Sequence, residues 1–463
     1  MSRRQFMKAL GVTGAGVGAA TLIAPAFKDL DEMTSEAATK LPTHGWFVKE
    51  RELENPTSEI DWNVWKPYDA KTNPMAPDTD IRKQNLASYD ARNLEGLKNK
   101  SPGFSLKDIA LTSGLRNMYG TDCPWDGVPA NNVQTPEARG TTVWQDTPEN
   151  NLKTVRSAMH LAGCNQVGAI ELTDRLKQRL FDAGTTVFED IPKGFLDKNV
   201  YHIPNSCKWM LVFSAQQNFV QTIHSLHKDE TQRGGYGWSK PALNPHAQGY
   251  ATSAPFYFIS SYFIRNLGYQ TYRPPVRANV AMGVLAGIGE QGRVGNIVSP
   301  NRGMLIRMTY CWVTDLPLAP TKPVDFGIVK FCQNCMTCAK SCPSEAVSLE
   351  KEPYWETACT TNNPGVKHWY LDWQKCRDWG SPGPCCNCQA CCPFNTPSES
   401  LIHQVVRYTA GKFGPLDSFY STMEKQFAYA EPRSDNELAK WWDRELDSYK
   451  SDTILNAGTY KWW

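Results

Sequence analysis

The cysteines constrain this chain more than any other feature, because most of them lie close together near its C-terminal end. The chain has 463 residues and 15 cysteines, and 11 of these cysteines fall between Cys332 and Cys392. Disulfide frameworks usually spread their cysteines through a small secreted chain, whereas dense clustering in a large chain is typical of metal binding. We therefore expect this region to bind metal through its thiolates.

The first run of cysteines has the spacing of bacterial ferredoxins. It reads Cys332-x2-Cys335-x2-Cys338-x3-Cys342-Pro343. In that pattern three thiolates hold corners of one [4Fe–4S] cluster, and the fourth cysteine ligates the neighbouring cluster. A zinc site does not account for the terminal Cys-Pro, so the run predicts iron–sulfur clusters.

The second run departs from this spacing at one position. Counting back from Cys392 gives Cys388 and Cys385 at the expected places, but the next place is taken by Pro382. Cys376 lies farther upstream and can complete the set across a glycine-containing loop. The run is therefore interpreted as the irregular second half of a two-cluster pair.

The crossed ligation of ferredoxins predicts two sets of four ligands. One set comprises Cys332, Cys335, Cys338 and Cys392. The other set comprises Cys342, Cys376, Cys385 and Cys388. Cys359, Cys386 and Cys391 remain as competitors, but the last two are shifted by one residue from the ferredoxin register, so we predict that they are not ligands.

The first residues of the chain resemble a twin-arginine export signal. Arg3 and Arg4 are paired, an aromatic residue and a lysine follow them, and no residue from Ala9 to Phe27 is charged. A membrane anchor is the alternative, but the many small residues make this stretch only weakly apolar, which favours a cleavable signal. Because twin-arginine export moves folded proteins, clusters inserted in the cytoplasm would cross the membrane with the chain.

Hydrophobic periodicity predicts a mixed α+β fold downstream of the signal. One helix is predicted for Asn151–Ala162. A second helix is predicted to end at Gly268, with an apolar stripe formed by Phe256, Ile259, Phe263 and Leu267. Strands are predicted for Cys207–Phe213 and Met304–Val313.

These patterns divide the chain into five predicted segments. Residues 39–100 are polar and poorly periodic, which indicates an extended wrapping segment, and Pro317, Pro320 and Pro323 mark a boundary before the cysteines. The segments are the signal (1–38), an N-terminal wrapping region (39–150), a catalytic core (151–325), a double-cluster domain (326–400) and a C-terminal extension (401–463).

Three further stretches, together with the signal and the cysteine runs, resemble the respiratory reductive dehalogenases. They are the glycine-rich stretch 287–295 (GIGEQGRVG), the stretch 314–318 (TDLPL) preceded by Arg307, and the helix end 263–269 (FIRNLGY). The resemblance covers most of the chain from about residue 150 and is strongest from 250 to 395. It implies an exported enzyme that replaces a carbon–halogen bond by a carbon–hydrogen bond, as the terminal reductase of organohalide respiration.

The resemblance also implies a fold, cofactors and partners. The fold would be a corrinoid-binding α/β core similar to nitroreductases, joined to a ferredoxin-like domain with two [4Fe–4S] clusters. The corrinoid would bind with its lower base detached. The expected partners are an organohalide substrate, a small integral membrane-anchor subunit and an upstream respiratory electron donor, and the enzyme would lie peripherally on the outer face of the cytoplasmic membrane.

The glycine-rich stretch also matches the dinucleotide-binding fingerprint G-x-G-x-x-G at Gly287, Gly289 and Gly292. That fingerprint must open a helix, and here Gly295 and Pro300 follow too soon for one. We instead expect the four glycines to allow the backbone to approach a large flat cofactor closely.

The resemblance implies that Tyr250 donates the proton. A tyrosine is a poor acid unless a cation stabilises its anion, and Arg307 matches the family's arginine that would do so. Asn279 is the candidate for a third polar group, and Tyr257 and Tyr262 are alternatives to Tyr250.

A near match to another corrinoid motif lies just upstream of this tyrosine. Some corrinoid proteins supply a ligating histidine from D-x-H-x-x-G, and this chain has His246 in the sequence NPHAQG. Asn244 stands where that motif has its carboxylate and cannot tune the imidazole charge in the same way. We therefore predict that His246 is not a ligand.

Two other functions compete with this interpretation. The related epoxyqueuosine reductases share the corrinoid and the clusters but act on transfer RNA in the cytoplasm. The export signal counts against them, as does the balance of 49 basic and 47 acidic residues, since nucleic-acid binders usually have a basic excess. A ferredoxin-like electron carrier would not need so long a region before the clusters, and cobalt content would distinguish it.

Replacing both Arg3 and Arg4 by lysine should leave the protein in the cytoplasm, because the paired arginines are what the export machinery recognises. Cell fractionation with detection of the chain measures this. Normal export of the variant would contradict the predicted signal.

Overall fold

The computed structural model describes residues 44–117, 123–164, 166–241, 244–379, 385–395, 409 and 431–443. The predicted signal segment lies outside these residues, as does most of the predicted C-terminal extension. The described helices are α1 (Asp80–Lys98), α2 (Leu106–Asn117), α3 (Pro148–Leu161), α4 (Asp174–Arg179), α5 (Phe219–Ser225), α6 (Pro245–Ala251), α7 (Ser253–Asn266), α8 (Asn279–Leu285), α9 (Ile328–Cys335), α10 (Thr337–Lys340), α11 (Trp373–Asp378), α12 (Asn387–Ala390) and α13 (Asp435–Trp442).

A four-stranded antiparallel sheet forms the centre of the fold. The described strands are β1 (Lys49–Glu50), β2 (Gln166–Glu171), β3 (Thr186–Glu189), β4 (Phe195–Asp197), β5 (Val200–Pro204), β6 (Trp209–Gln216), β7 (Thr271–Tyr272), β8 (Glu290–Gln291), β9 (Ile297–Val298), β10 (Ile306–Thr314) and β11 (Val324–Asp325). The strands of the central sheet lie in the order β2-β6-β10-β7. A three-stranded sheet has the order β3-β5-β4, and two smaller sheets pair β8 with β9 and β1 with β11.

Both faces of the central sheet are covered, which explains why its middle strands are apolar without alternation. Along β6, Met210 and Val212 enter one hydrophobic core, whereas Leu211 and Phe213 enter the other. Helix α8 packs on the first face, and helices α3 and α7 pack on the second. The molecule is thus a mixed helix-and-sheet structure, as the periodicity predicted.

The predicted strands and the first predicted helix are confirmed within a few residues. Strands β6 and β10 correspond to the predicted strands, and α3 buries Leu152, Val155 and Met159 on one face. The termini differ because end residues are set by local capping, such as the Thr147 side chain that accepts the backbone N–H of Asn150 at the start of α3.

The predicted apolar stripe of α7 is wrong in part. Ile259 is 40% exposed, whereas Ser260 is buried on the same helix beside Phe256. The serine hydroxyl accepts the indole N–H of Trp312 at 2.7 Å and donates to the carbonyl oxygen of Phe256 at 2.6 Å. Because its hydrogen bonds are satisfied, a polar residue can occupy the buried face.

The extended structure predicted for residues 39–100 is wrong over α1, a helix of 19 residues. This helix buries only Tyr89 and Gly96, so it has no apolar stripe to reveal it. Polar contacts hold it against α11, where the Asn85 amide donates to the carbonyl oxygen of Asp378 at 2.6 Å.

The chain divides into a short unit, Met1–Gly45, and a unit that spans Trp46–Trp463. Within the larger unit β1 pairs with β11, which directly precedes the cysteine runs. The five segment boundaries stay a prediction. None of the described helices combines the length and apolarity needed to cross a membrane.

Leu211→Ala should destabilise the protein by about 2–5 kcal/mol, because Leu211 is 0% exposed at the centre of the sheet and its truncation leaves a cavity. Leu161→Ala makes the same chemical change at a residue that is 90% exposed and should cost less than about 0.5 kcal/mol. Chemical denaturation followed by tryptophan fluorescence compares the two. Equal shifts would contradict the assigned core.

Candidate active site

A cavity of about 510 Å³ brings together most of the catalytic residues predicted from the sequence. Tyr250, Asn279 and Arg307 all line it, although they belong to α6, α8 and β10. Other walls come from residues 56–68, 291–297 and 361–373 and from Gln389 in the second cysteine run. The cavity therefore lies where the central sheet, the glycine-rich stretch and the cysteine region meet.

The Arg307 side chain contacts Tyr250 directly. Its Nη2 donates a hydrogen bond to the Tyr250 hydroxyl oxygen, and the guanidinium carbon lies 4.5 Å from the centre of the tyrosine ring. A Cβ atom at Gly249 would lie 2.6 Å from the Cβ of Arg307, so only glycine lets α6 approach β10 this closely. A phenol held in this way can release a proton while the cation stabilises the remaining anion.

The Arg307 guanidinium retains one unused donor. Its Nε is buried and has no hydrogen-bond partner among the described residues. An unpaired buried donor is costly, and such groups are common at ligand sites. The atom is therefore in a position to serve a bound molecule.

The two tyrosines considered as alternative proton donors lie away from the cavity. Tyr257 and Tyr262 belong to the hydrophobic core on the opposite face of the sheet, with Tyr262 only partly buried. Burial raises the pKa of Tyr257, so it is a weaker acid than an exposed tyrosine. Neither residue lines the cavity.

His246 lies one turn before Tyr250 on α6, and it does not line the cavity. Its Nε2 is 2.9 Å from the Oε1 atom of Gln389, which also accepts a hydrogen bond from Gln217 at 3.2 Å. Burial lowers the pKa of His246, and the positive charge of Arg307 lowers it further. Both effects favour the neutral imidazole, which connects α6 to the second cysteine run through Gln389.

Three of the four predicted cofactor glycines are packed against the protein itself. Cβ atoms at Gly287 and Gly289 would overlap backbone oxygens of other segments, and one at Gly292 would lie 2.7 Å from the Val298 side chain. The stretch forms the β8–β9 hairpin and opens no helix. Only Gly295 lines the cavity, and a Cβ there would make no contact closer than 3.6 Å.

The lining chemistry fits a large ring compound with amide substituents. Apolar side chains cover part of the wall, among them Val280, Val284, Leu285, Ile297 and Val366. Six residues with amide side chains also line it: Asn279, Gln291, Asn296, Asn362, Asn363 and Gln389. A corrinoid has an apolar macrocycle with amide side chains at its edge, so this combination of residues suits it.

The first predicted set of cysteine ligands surrounds a single small cavity. Cys332, Cys335, Cys338 and Cys392 all line it. Apolar side chains close the remaining walls, among them Val298, Ile328, Phe331 and Phe394. Predicted ligands that are 54 residues apart (392 − 338) in the sequence therefore line one cavity.

The two cysteine runs repeat the same backbone with an offset of 50 residues (385 − 335). Met336 and Cys386 correspond in this repeat, and both have positive φ angles, of 52° and 56°. Each is followed at once by a four-residue helix, α10 or α12. A positive φ is rare for residues other than glycine, so its recurrence shows that the runs share one local fold.

The repeat also separates the surplus cysteines from the predicted ligands. Cys386 takes the place of Met336, and Cys391 takes the place of Ser341. The residues at those places in the first run cannot act as thiolate ligands. Cys359 lies outside the repeat, with its Sγ 3.5 Å from the side-chain oxygen of Asn362.

The second predicted set is assembled from three separate parts of the chain. Burial raises the pKa of Cys376 to about 11, and repulsion by Cys342 contributes. Burial also raises the pKa of Cys385 and Cys388, with repulsion by Cys342 and Cys376 contributing at both. Buried thiols that repel one another as thiolates ionise together only when metal ions balance their charge.

The cysteines are not arranged around a single ion. Within the described ranges, no three His, Cys, Asp or Glu side chains are grouped as ligands of one metal ion would be. A [4Fe–4S] cluster spreads its four thiolates over four corners and so needs wider spacing than one ion does.

Sequence reasoning missed the parts of the cavity wall that come from distant segments. Residues 56–68 and 361–373 carry no motif, and their side chains meet the cavity only through the tertiary fold. Gln389 left a weak signal in the sequence, because this polar residue stands where the first run has the small buried residue Ala339.

Comparison with known proteins identifies similar sequences. The family model described as "Reductive dehalogenase subunit" matches residues 43–188. The chloroethene reductive dehalogenase of Dehalococcoides mccartyi strain VS is 28% identical over 98% of this chain and 98% of that protein. The tetrachloroethene reductive dehalogenase of Sulfurospirillum multivorans is 31% identical over 58% of this chain and 50% of that protein.

Solved structures show a similar fold. The catabolic reductive dehalogenase NpRdhA, in complex with 3-bromo-4-hydroxybenzoic acid, matches with a TM-score of 0.56 and 18% sequence identity. The match covers 85% of this chain and 50% of that chain. A second structure, described as suggesting a mechanism for B12-dependent dehalogenation, matches with a TM-score of 0.54.

Proposed function

We infer that this chain is a catalytic subunit of the reductive dehalogenase family and replaces a carbon–halogen bond of an organohalide by a carbon–hydrogen bond. The contact between Arg307 and the Tyr250 hydroxyl at the wall of the large cavity carries this inference. The reaction consumes two electrons and one proton, and it releases a halide ion. As the sequence resemblance to the respiratory reductive dehalogenases implies, the enzyme would be the terminal reductase of organohalide respiration.

The residues present suit the cofactors that this reaction needs. Two sets of thiolates, Cys332, Cys335, Cys338 and Cys392 and then Cys342, Cys376, Cys385 and Cys388, would hold two [4Fe–4S] clusters in a ferredoxin-like domain. Gly295 and the amide side chains of the large cavity would hold a base-off corrinoid within the nitroreductase-like core. When bound, the clusters supply single electrons and the corrinoid supplies the reductive cleavage of the carbon–halogen bond.

The chain's own part in the chemistry is to deliver the proton. Tyr250 faces the cavity and donates its hydroxyl proton to the carbon that loses the halide. Arg307 stabilises the resulting phenolate through the same hydrogen bond that orients the hydroxyl. Asn279, at the first turn of α8, adds a polar group that can orient the substrate in the cavity.

Chlorinated ethenes are the first substrates to test. Relatives that align along nearly all of this chain are named for chloroethene and trichloroethene. The shape of the cavity decides between these compounds and larger organohalides such as arenes. Turnover of a panel of chlorinated ethenes, ethanes and arenes identifies the substrate.

The proposed cellular context follows from the N-terminal sequence. Arg3 and Arg4 support export by the twin-arginine route. The mature enzyme would lie on the outer face of the cytoplasmic membrane, attached through a small integral membrane-anchor subunit. An upstream respiratory donor would supply the electrons, and no nucleic-acid partner is expected from the balanced charge.

Active protein should contain about eight iron atoms and one cobalt atom per chain. Cys376→Ala removes a predicted ligand and should lower the iron content. Cys386→Ala and Cys391→Ala should leave it unchanged, because the equivalent residues Met336 and Ser341 are not ligands. Iron, sulfide and cobalt analysis of anaerobically purified protein measures each outcome.

Four iron atoms per chain in the unmodified protein would overturn the proposed ligand sets. Active protein without cobalt would overturn the corrinoid. Iron and sulfide without cobalt and without dehalogenation would support an electron carrier instead.

Tyr250→Phe should lower dehalogenation by roughly 10²–10⁴-fold, the usual contribution of a positioned general acid. The ring stays in place and only the acidic hydroxyl is lost, so cofactor content should not change. Tyr262→Phe is the matched control, since Tyr262 lies on the other face of the sheet, and it should leave turnover near that of the parent. Arg307→Lys keeps the charge but loses the planar fork and should cause a partial loss.

The measurement is turnover at matched iron and cobalt content, so that cofactor loss is not mistaken for lost chemistry. A cofactor-replete Tyr250→Phe enzyme with parental turnover would show that another group donates the proton.

A further inference from the structure

Arg293 places a positive charge in the interior of the protein. It lies in the turn of the β8–β9 hairpin and is only 2% exposed. Burial lowers its pKa, but a guanidinium stays charged at any pH that a protein tolerates. A cation in this environment acts strongly on neighbouring groups, because little water is present to screen it.

All the described hydrogen bonds of Arg293 go to neutral backbone oxygens. Its Nε and Nη2 donate to the carbonyl oxygen of Cys332 at 3.1 and 2.7 Å. Its Nη1 donates to those of Ser348 and Glu350 at 2.8 and 2.6 Å, and the guanidinium lies 4.5 Å from the ring centre of Trp369. No salt bridge to Arg293 occurs in the part of the chain that the structure describes, so its charge is not neutralised locally.

This charge faces the first set of thiolates. Arg293 lines the same small cavity as Cys332, Cys335, Cys338 and Cys392. The hairpin is held against this set, since a Cβ at Gly292 would lie 3.8 Å from the Sγ of Cys332. The carboxyl group of Glu290 also acts on Cys332, and burial raises the pKa of this carboxyl to about 7.

The second set of thiolates has a different electrostatic environment, since no cation is among the groups that shift the pKa of Cys376, Cys385 or Cys388. The charged group that acts on Cys376 is the carboxylate of Asp372. Asp372 caps the N-terminus of α11, where it accepts the backbone N–H of Lys375 at 3.0 Å. Its side chain is 23% exposed and forms a salt bridge of 4.0 Å with the Nζ atom of Lys375. Arg307 acts on Cys386, which is not a member of either set. One set therefore faces a buried cation without a salt bridge, and the other faces a partly solvated carboxylate that is paired with Lys375.

We propose that Arg293 raises the reduction potential of the cluster held by Cys332, Cys335, Cys338 and Cys392 above that of the second cluster. This inference rests on the cluster ligation proposed above. Each one-electron reduction adds one negative charge to a cluster, and a nearby fixed cation stabilises that added charge. Arg293 is thus a positioning residue that acts on electron transfer through this cluster, and it does not line the substrate cavity.

The test is a redox titration of the holoenzyme with dithionite and mediators, followed by electron paramagnetic resonance. Arg293→Gln removes the charge and should lower the equilibrium constant for reduction of the cluster held by the first set about tenfold or more. For one electron, this corresponds to a reduction potential lower by about 59 mV. Arg293→Lys retains the charge and should preserve most of that potential. Asp372→Asn keeps the helix cap and should raise the potential of the other cluster, by less because water screens this side chain.

The outcomes separate this inference from the cluster assignment. Fewer than about eight iron atoms in the unmodified enzyme would refute the ligation itself. With eight present, equal potentials of the two clusters in the unmodified enzyme would overturn the role of Arg293. The role of Arg293 would also be overturned if Arg293→Gln and Arg293→Lys change the reduction potential of one cluster by the same amount. It would likewise be overturned if Arg293→Gln changes the potentials of both clusters equally or changes neither. If Arg293→Gln loses iron, the unmodified enzyme and Arg293→Lys decide the question.

Discussion

The close approach of α6 to strand β10 is the constraint on which the candidate site depends. Gly249 makes this approach possible, and it lets Arg307 reach the hydroxyl of Tyr250. Arg307 itself lies on strand β10 opposite Ala215 of β6, just before an irregularity in the pairing, and helices cover both faces of the sheet. The position of the cation is therefore set by the protein core and not by a mobile loop, which suits a group that must meet a developing anion.

Two guanidinium groups act on different parts of the site. Arg307 contacts a phenol at the substrate cavity, and Arg293 contacts the backbone of the first thiolate set. Neither forms a salt bridge within the described residues, so each retains its charge for a different negative group. Proton delivery and electron delivery are thereby supported by separate cations, one on β10 and one in the β8–β9 hairpin.

Local patterns could be predicted from the sequence, whereas contacts between distant segments could not. The spacing from Cys332 to Cys342 reflects ligand geometry within one short run, and the structure repeats that backbone in the second run. The pairing of Tyr250 with Arg307 joins residues 57 positions apart and was accessible only through a family resemblance. Helix α1 escaped detection because its anchoring contacts reach α11, nearly 300 residues away. The sequence could not show that Gly287 packs against protein backbone, because a glycine that packs against a cofactor is the same residue type.

Anomalous diffraction from crystals of the holoenzyme, recorded at the iron and cobalt absorption edges, tests the central claim most directly. The account predicts one cobalt peak inside the cavity lined by Tyr250 and Arg307. It also predicts two iron peaks, one within each set of four cysteines. A cobalt peak outside that cavity, or iron at only one of the two sets, would contradict it.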